Sequence, residues 1–63
     1  MDTDDMTFTR DVRPGWLFSE QRDADGFLYA VRADDGRTVS AREEMRVLSM
    51  AMAADAARTL FGP

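Results

Sequence analysis

The sequence contains no cysteine, no histidine and no lysine, and each absence removes a class of chemistry. Without cysteine there are no disulfides, no thiolate metal sites and no thiol nucleophile. Without histidine, the commonest zinc ligand and the usual general base at neutral pH are both missing. Without lysine there is no amine for a Schiff base. Ser19, Ser40 and Ser49 have no neighbouring base to activate them. Glu43 and Glu44 are adjacent, and adjacent helical positions point about 100° apart, which suits first-turn charge better than a catalytic pair. No enzymatic activity, cofactor or metal is expected. Asp23-Ala24-Asp25-Gly26 lacks the further acidic positions of a calcium loop and reads as a turn.

Isoleucine and asparagine are absent as well. Lysine, isoleucine and asparagine have the codons richest in A and T, so their joint absence points to a high-GC gene, as in many bacteria and their phages. No apolar run approaches the ~20 residues that span a bilayer. The chain opens Met1-Asp-Thr-Asp-Asp5, acidic where a signal peptide is basic. A cytoplasmic protein is the expectation.

What is present is globular in composition: 44% hydrophobic and 32% charged residues, with a net charge of −4 over 63 residues. One domain of this size buries only ~60% of the surface its unfolded chain exposes, and such domains usually rely on a disulfide, a metal or a partner. With the first two removed, association is the remaining support. The eight basic residues are all arginine, scattered from Arg10 to Arg58 and often beside an acid. Phosphate backbones and anionic membranes call for a concentrated basic face, so direct nucleic-acid or membrane binding is not expected.

Residues 1–6 read as a flexible acidic tail and residues 7–63 as a single small α+β domain. Trp16–Gln21 and Phe27–Arg32 read as strands, joined by a turn over 22–26. Asp34-Asp35-Gly36 is a hairpin signal leading to a short strand over 37–40. Residues 7–12 alternate weakly, with Pro14-Gly15 as the turn that follows. The result is an antiparallel meander of three strands, or four if 7–12 pairs, followed by one long C-terminal helix. Phe27, Tyr29 and Val31 fall on one face of their strand and Leu28 and Ala30 on the other, so both sheet faces need cover. The N-terminal segment or another molecule is expected to supply the second cover.

The helix is expected over 41–61, started by a capping box at Ser40-Ala-Arg-Glu43 and stopped by Gly62. Its wheel shows two apolar stripes. One contains Ala41, Met45, Leu48, Met52 and Ala56; the other contains Val47, Met50, Ala54, Ala57 and Phe61. A sheet covers one side of a helix, so the second stripe wants a second surface. The first stripe is assigned to the sheet, and partner binding to Val47, Met50, Ala54, Ala57 and Phe61. Methionine is adaptable at such surfaces, and alanine lets another backbone approach. Asp23, Asp25, Asp34 and Asp35 form acidic loops that could engage a basic groove, although turns favour Asp in any case.

These features point to a small non-catalytic protein-binding module: a bacterial or phage-encoded accessory or inhibitory protein acting on a larger target. Two alternatives are a self-associating structural subunit, with a homodimer as its form, and an acidic mimic of nucleic acid.

Overall fold

The computed structural model describes residues 7–62. The expected acidic tail over 1–6 lies outside the described residues, as does Pro63. Four strands, β1 (Phe8–Arg13), β2 (Trp16–Ser19), β3 (Leu28–Arg32) and β4 (Thr38–Ala41), precede one helix, α1 (Glu44–Phe61). The strands form an antiparallel meander in the order β1-β2-β3-β4. Helix α1 lies across one face of the sheet, chiefly over β3 and β4.

Each turn has a local cause. Pro14 and Gly15 sit between the paired residues Arg13 and Trp16, and Gly15 has φ 85°. Proline followed by a positive-φ glycine is the sequence a type II turn requires. In the β2–β3 connection, one carboxylate oxygen of Asp23 accepts from the amides of Asp25 and Phe27, both at 2.9 Å. The other accepts from the Tyr29 hydroxyl at 2.7 Å. Asp23 therefore organises its own loop, as Asx residues do in turns.

Strand β1 is expected at 7–12 and runs over 8–13. It lies beside β2 in the plane of the sheet, with two register irregularities. It extends the sheet at its edge, and among the described residues nothing packs over the second face. Irregular pairing and the charges Arg10, Asp11 and Arg13 suit an edge strand, because they discourage further strand addition.

Alternation sets the core. Trp16 and Phe18 of β2, and Leu28 and Ala30 of β3, face α1, where they meet Val47 and Ala51. Val39, Ala41, Leu48 and Ala54 pack at its margin. The opposite sheet face carries Leu17, Tyr29 and Val31, partly open to solvent.

The helix start differs from expectation. Ser40 belongs to β4, where it pairs with Tyr29 in the ladder, so it is not free to cap. The N-cap is Glu43, in extended conformation and without a side-chain cap bond. Its carbonyl accepts from the amides of Arg46 and Val47. The capping box gives way because β4 continues to Ala41, against Leu28, and the strand ladder takes the residues that the box needs. At the other end Gly62, at φ 84°, closes the helix with its amide on the Arg58 carbonyl, the stop that its sequence position implies.

Candidate docking surface

The inner side of α1 does not follow either apolar stripe. It runs between them, through Glu44, Val47, Leu48, Ala51, Ala54, Asp55 and Arg58, spaced by three and four residues as one helical face must be. Val47 and Ala51 are fully buried. Glu44 and Asp55 end on strand residues and Arg58 on the β3–β4 turn: Glu44 pairs with Arg10, Asp55 with Arg13 and Arg32, and Arg58 with Asp34.

Asp55 is the centre of this arrangement. One of its oxygens accepts from Arg32 Nη1 at 2.7 Å. The other accepts from Arg13 Nε at 2.8 Å and from Trp16 Nε1 at 2.9 Å. The Arg32 side chain, only 7% exposed, is also held by Asp35 through two parallel bonds of 3.0 and 2.7 Å. Its guanidinium stacks over the Trp16 ring at 5.3 Å. A buried guanidinium is tolerated only when fully paired, and here two carboxylates and an aromatic face supply the pairing. Arg13 and Arg32, helped by the Trp16 indole, hold Asp55 down to about 2. Arg32 holds Asp35 well below the usual carboxylate range, and Asp35 and Asp55 push Arg32 up in turn. Arg58 Nη1 lies 2.9 Å from both oxygens of Asp34. Among the described residues, no buried side-chain nitrogen or oxygen lacks a partner.

Beyond Arg46, which is exposed in the first turn, this arrangement leaves the outer side of α1 bare of charge. Between Val47 and Phe61 the only charged residues are Asp55 and Arg58, and both turn toward the sheet. The outer surface over the same span consists of Ser49, Met50, Met52, Ala53, Ala56, Ala57, Thr59, Leu60 and Phe61. Met45 is 80% exposed, Leu60 77% and Phe61 83%. An ordinary surface helix turns its polar face to water, and α1 departs from that pattern.

The expected partner residues divide on this geometry. Met50, Ala57 and Phe61 lie on the outer side. Val47 is completely buried against the sheet and Ala54 is half-buried at the core margin, so both belong to the inner side. The two-stripe assignment is corrected accordingly: of the stripe given to the sheet, Leu48 and Ala41, the latter as the last residue of β4, pack on the core, whereas Met45, Met52 and Ala56 are exposed. The reason is the ion network, which draws Asp55 and Arg58 inward and rotates the apolar stripes to the flanks. Sequence reasoning missed Met45, Met52, Ala53 and Leu60 as outer-face residues, and Asp55 as the organising acid. A signal existed: Arg32 alternates in phase with Leu28 and Ala30, so it enters the helix-covered face and demands a carboxylate from the helix.

The acidic loops are largely committed within the fold. Asp23 holds its own loop, Asp34 pairs with Arg58 and Asp35 with Arg32. Backbone bonds from Phe27 and the Tyr29 hydroxyl lower Asp23, and Asp23 raises Tyr29. Asp25 is exposed. Among the described residues, no cluster of three or more acidic side chains is placed to hold a metal ion, and no helix is long and apolar enough to cross a membrane.

Fold and surface together define a class: a small α+β protein, a four-stranded meander with one helix whose exposed side is apolar. A scan of protein-family models, a search of curated proteins and a search of solved structures each return no match to this chain.

Proposed function

We propose that this chain is a non-catalytic protein-binding module that docks on another protein chain through the outer side of α1. The observation that carries the reading is the inverted helix: beyond the exposed Arg46 its charges, Asp55 and Arg58, turn inward, and its outer surface from Ser49 to Phe61 is uncharged. Exposed apolar surface costs free energy in water, at roughly 25 cal/mol per Å², and covering it recovers that cost. The most perturbed carboxylates, Asp35 and Asp55, are saturated by arginines that hold the fold together. That supports a structural use for them over acid–base work. The commitment of Asp23, Asp34 and Asp35 to internal bonds argues in the same direction against an acidic mimic of nucleic acid. A chain without cysteine suits a reducing compartment, and the cytoplasm is the location we propose. A bacterial or phage accessory role fits the composition.

The test is the mass of the assemblies that a tagged chain forms in cells, fixed by gentle crosslinking. The expected result is an assembly larger than the 7.1 kDa chain, lost in Met50→Glu and Leu60→Glu but kept in Leu17→Glu on the sheet's outer face. Monomer mass for the unaltered chain, or loss only with Leu17→Glu, would overturn the reading.

A further inference from the structure

The free edge of the sheet at β4 carries enough pattern to name its occupant. We propose that β4 accepts an extended acidic segment of a different protein as an added antiparallel strand, seated in the groove between β4 and the adjoining flank of α1. This inference does not rest on the reading of the outer side of α1. It rests on backbone groups that the fold leaves unpaired.

Three observations converge. The first is the direction of the backbone. The Arg32 amide donates to the Arg37 carbonyl at 2.8 Å. In an antiparallel ladder, bonded pairs alternate with unbonded ones. Ala30–Val39 and Leu28–Ala41 are therefore bonded pairs, and Val31–Thr38 and Tyr29–Ser40 are unbonded. The Tyr29 amide fits this phase: it turns the other way and donates to the Ser19 hydroxyl at 3.0 Å. Thr38 and Ser40 thus aim their amides and carbonyls away from β3, at the free edge. Thr38 is exposed and Ser40 half-buried. The two edges of the sheet differ. β1 is irregular in register and carries charges. β4 pairs without a register shift and contains no charged residue and no proline. An edge of the second kind takes up an added strand.

The second is the space beside that edge. Val39 and Ala41 of β4 pack toward α1, so every other residue of an added strand faces α1 as well. The flank of α1 on that side is Arg46, Met50, Ala54 and Ala57, which share one helical stripe. Two hollows of about 380 and 400 Å³ lie along it. The first is bounded by Ser40, Ala41, Arg46, Ser49 and Met50. Arg37, Ala54 and Ala57 help to bound the second. The small alanines leave room that side chains of the added strand fill.

The third is charge. Arg46 and Arg37 stand at the two ends of this groove. Asp34 and Asp35 go to Arg58 and Arg32, which leaves the Arg37 side chain without an acid among the described residues. Arg46 is exposed and reaches Glu43 only at 3.9 Å. Arg37 and Ala41 are separated by roughly 13 Å of strand. Two carboxylates spaced i and i+4 on the α1-facing side of an added strand therefore meet the two arginines, and the residue midway between them meets Met50 and Ala54. A second copy does not match this pattern. Two β4 strands paired antiparallel over Thr38 and Ser40 set Arg37 of one copy beside Arg46 of the other, and like charges so placed repel. The complementary occupant is an acidic strand from a different chain.

The probe is a synthetic peptide, Thr-Glu-Thr-Val-Thr-Glu-Thr, blocked at both ends and titrated into the full purified chain while backbone amide resonances are followed. The expected result is saturable binding at submillimolar peptide, with the largest shifts at the Thr38 and Ser40 amides. Methylating the amides of the two threonines that flank the valine removes the donors that face β4, and should weaken binding at least about ten-fold. Methylating the valine amide, which faces away, should change it by less than about three-fold. Lysine in place of both glutamates should weaken binding at least about three-fold, as should Arg46→Glu. Leu60→Glu, on the outer side of α1 and away from the groove, should leave the affinity unchanged. No binding at millimolar peptide, or equal losses from the two kinds of methylation, overturns strand addition. Full affinity for the lysine peptide or in Arg46→Glu overturns the acidic occupant. Loss in Leu60→Glu moves the peptide to the outer side of α1 and overturns the site at β4. None of these results counts against the outer side as a docking surface, which has its own test above.

Discussion

The two sides of α1 exchange the roles that helix sides usually play. The inner side carries Glu44, Asp55 and Arg58, all paired to the sheet, together with the small Ala51 and the single fully buried branched residue Val47. The outer side carries Met45, Met50, Met52, Leu60 and Phe61, all exposed. In an ordinary surface helix the large apolar groups go in and the charges go out. The lesson is that amphipathicity alone does not orient a helix. A buried arginine on the sheet can do so, because an unpaired guanidinium costs more than the exposure of several methionine side chains.

The sharpest way to break this comparison is to charge each side in turn. Val47→Glu should prevent folding. It buries an unpaired carboxylate at a fully enclosed site, costing several kcal/mol, against a total stability of about 3–5 kcal/mol for a domain this small. Circular dichroism should show no cooperative transition. Next in size is Asp55→Ala, which removes the partner of Arg32, Arg13 and the Trp16 indole together. Its melting temperature should fall further than that of Arg58→Ala, which breaks the more exposed pairs with Asp34 and Asp35. Equal shifts would deny Asp55 its central place.

Acid should act on the inner side in the same way. Asp55 is held down to about 2 and Asp35 lower still, against an ordinary 3.8. A carboxylate depressed in the folded state stabilises the fold above its unfolded value, and that contribution fades as pH drops through the folded one. The melting temperature should therefore be level above about pH 5 and fall between about pH 4 and pH 2. Asp55→Asn should flatten part of that slope. The smallest effect belongs to the outer side. Met50→Glu, melted at low protein concentration where association contributes little, should change stability by less than about 0.5 kcal/mol. A larger loss would place Met50 in the core.

Much of the fold was legible in the sequence because its signals are local. Pro14-Gly15, Asp23 with Gly26, and Asp34-Asp35-Gly36 mark the three turns of the meander, and the run from Glu44 to Phe61 without Gly or Pro marks the helix. The helix start was not legible, since Ser40 serves both a strand and a cap in sequence logic and the Leu28–Ala41 pairing decides between them. The side of the helix that faces the sheet was not legible either. Periodicity counts Asp55 and Arg58 as outward by type, whereas Arg32, Arg13 and Asp34 draw them inward across 23 to 42 residues of chain. Met50, Ala57 and Phe61 were found because they sit on the flank common to both assignments. Val47 and Ala54 were misplaced by the same rotation.

The most direct measurement is the rate of methionine oxidation by dilute peroxide, read residue by residue by mass spectrometry at low and high protein concentration. Oxidation follows sulfur exposure, and Met45 and Met50 are open in the single chain. With the charged side of α1 turned to the sheet, Met45, Met50 and Met52 should all oxidise readily in dilute solution, and slower oxidation in concentrated solution would mark the side as covered by a second copy. Strong protection of Met45 and Met52 in the dilute chain would place that stripe against the sheet and contradict the account.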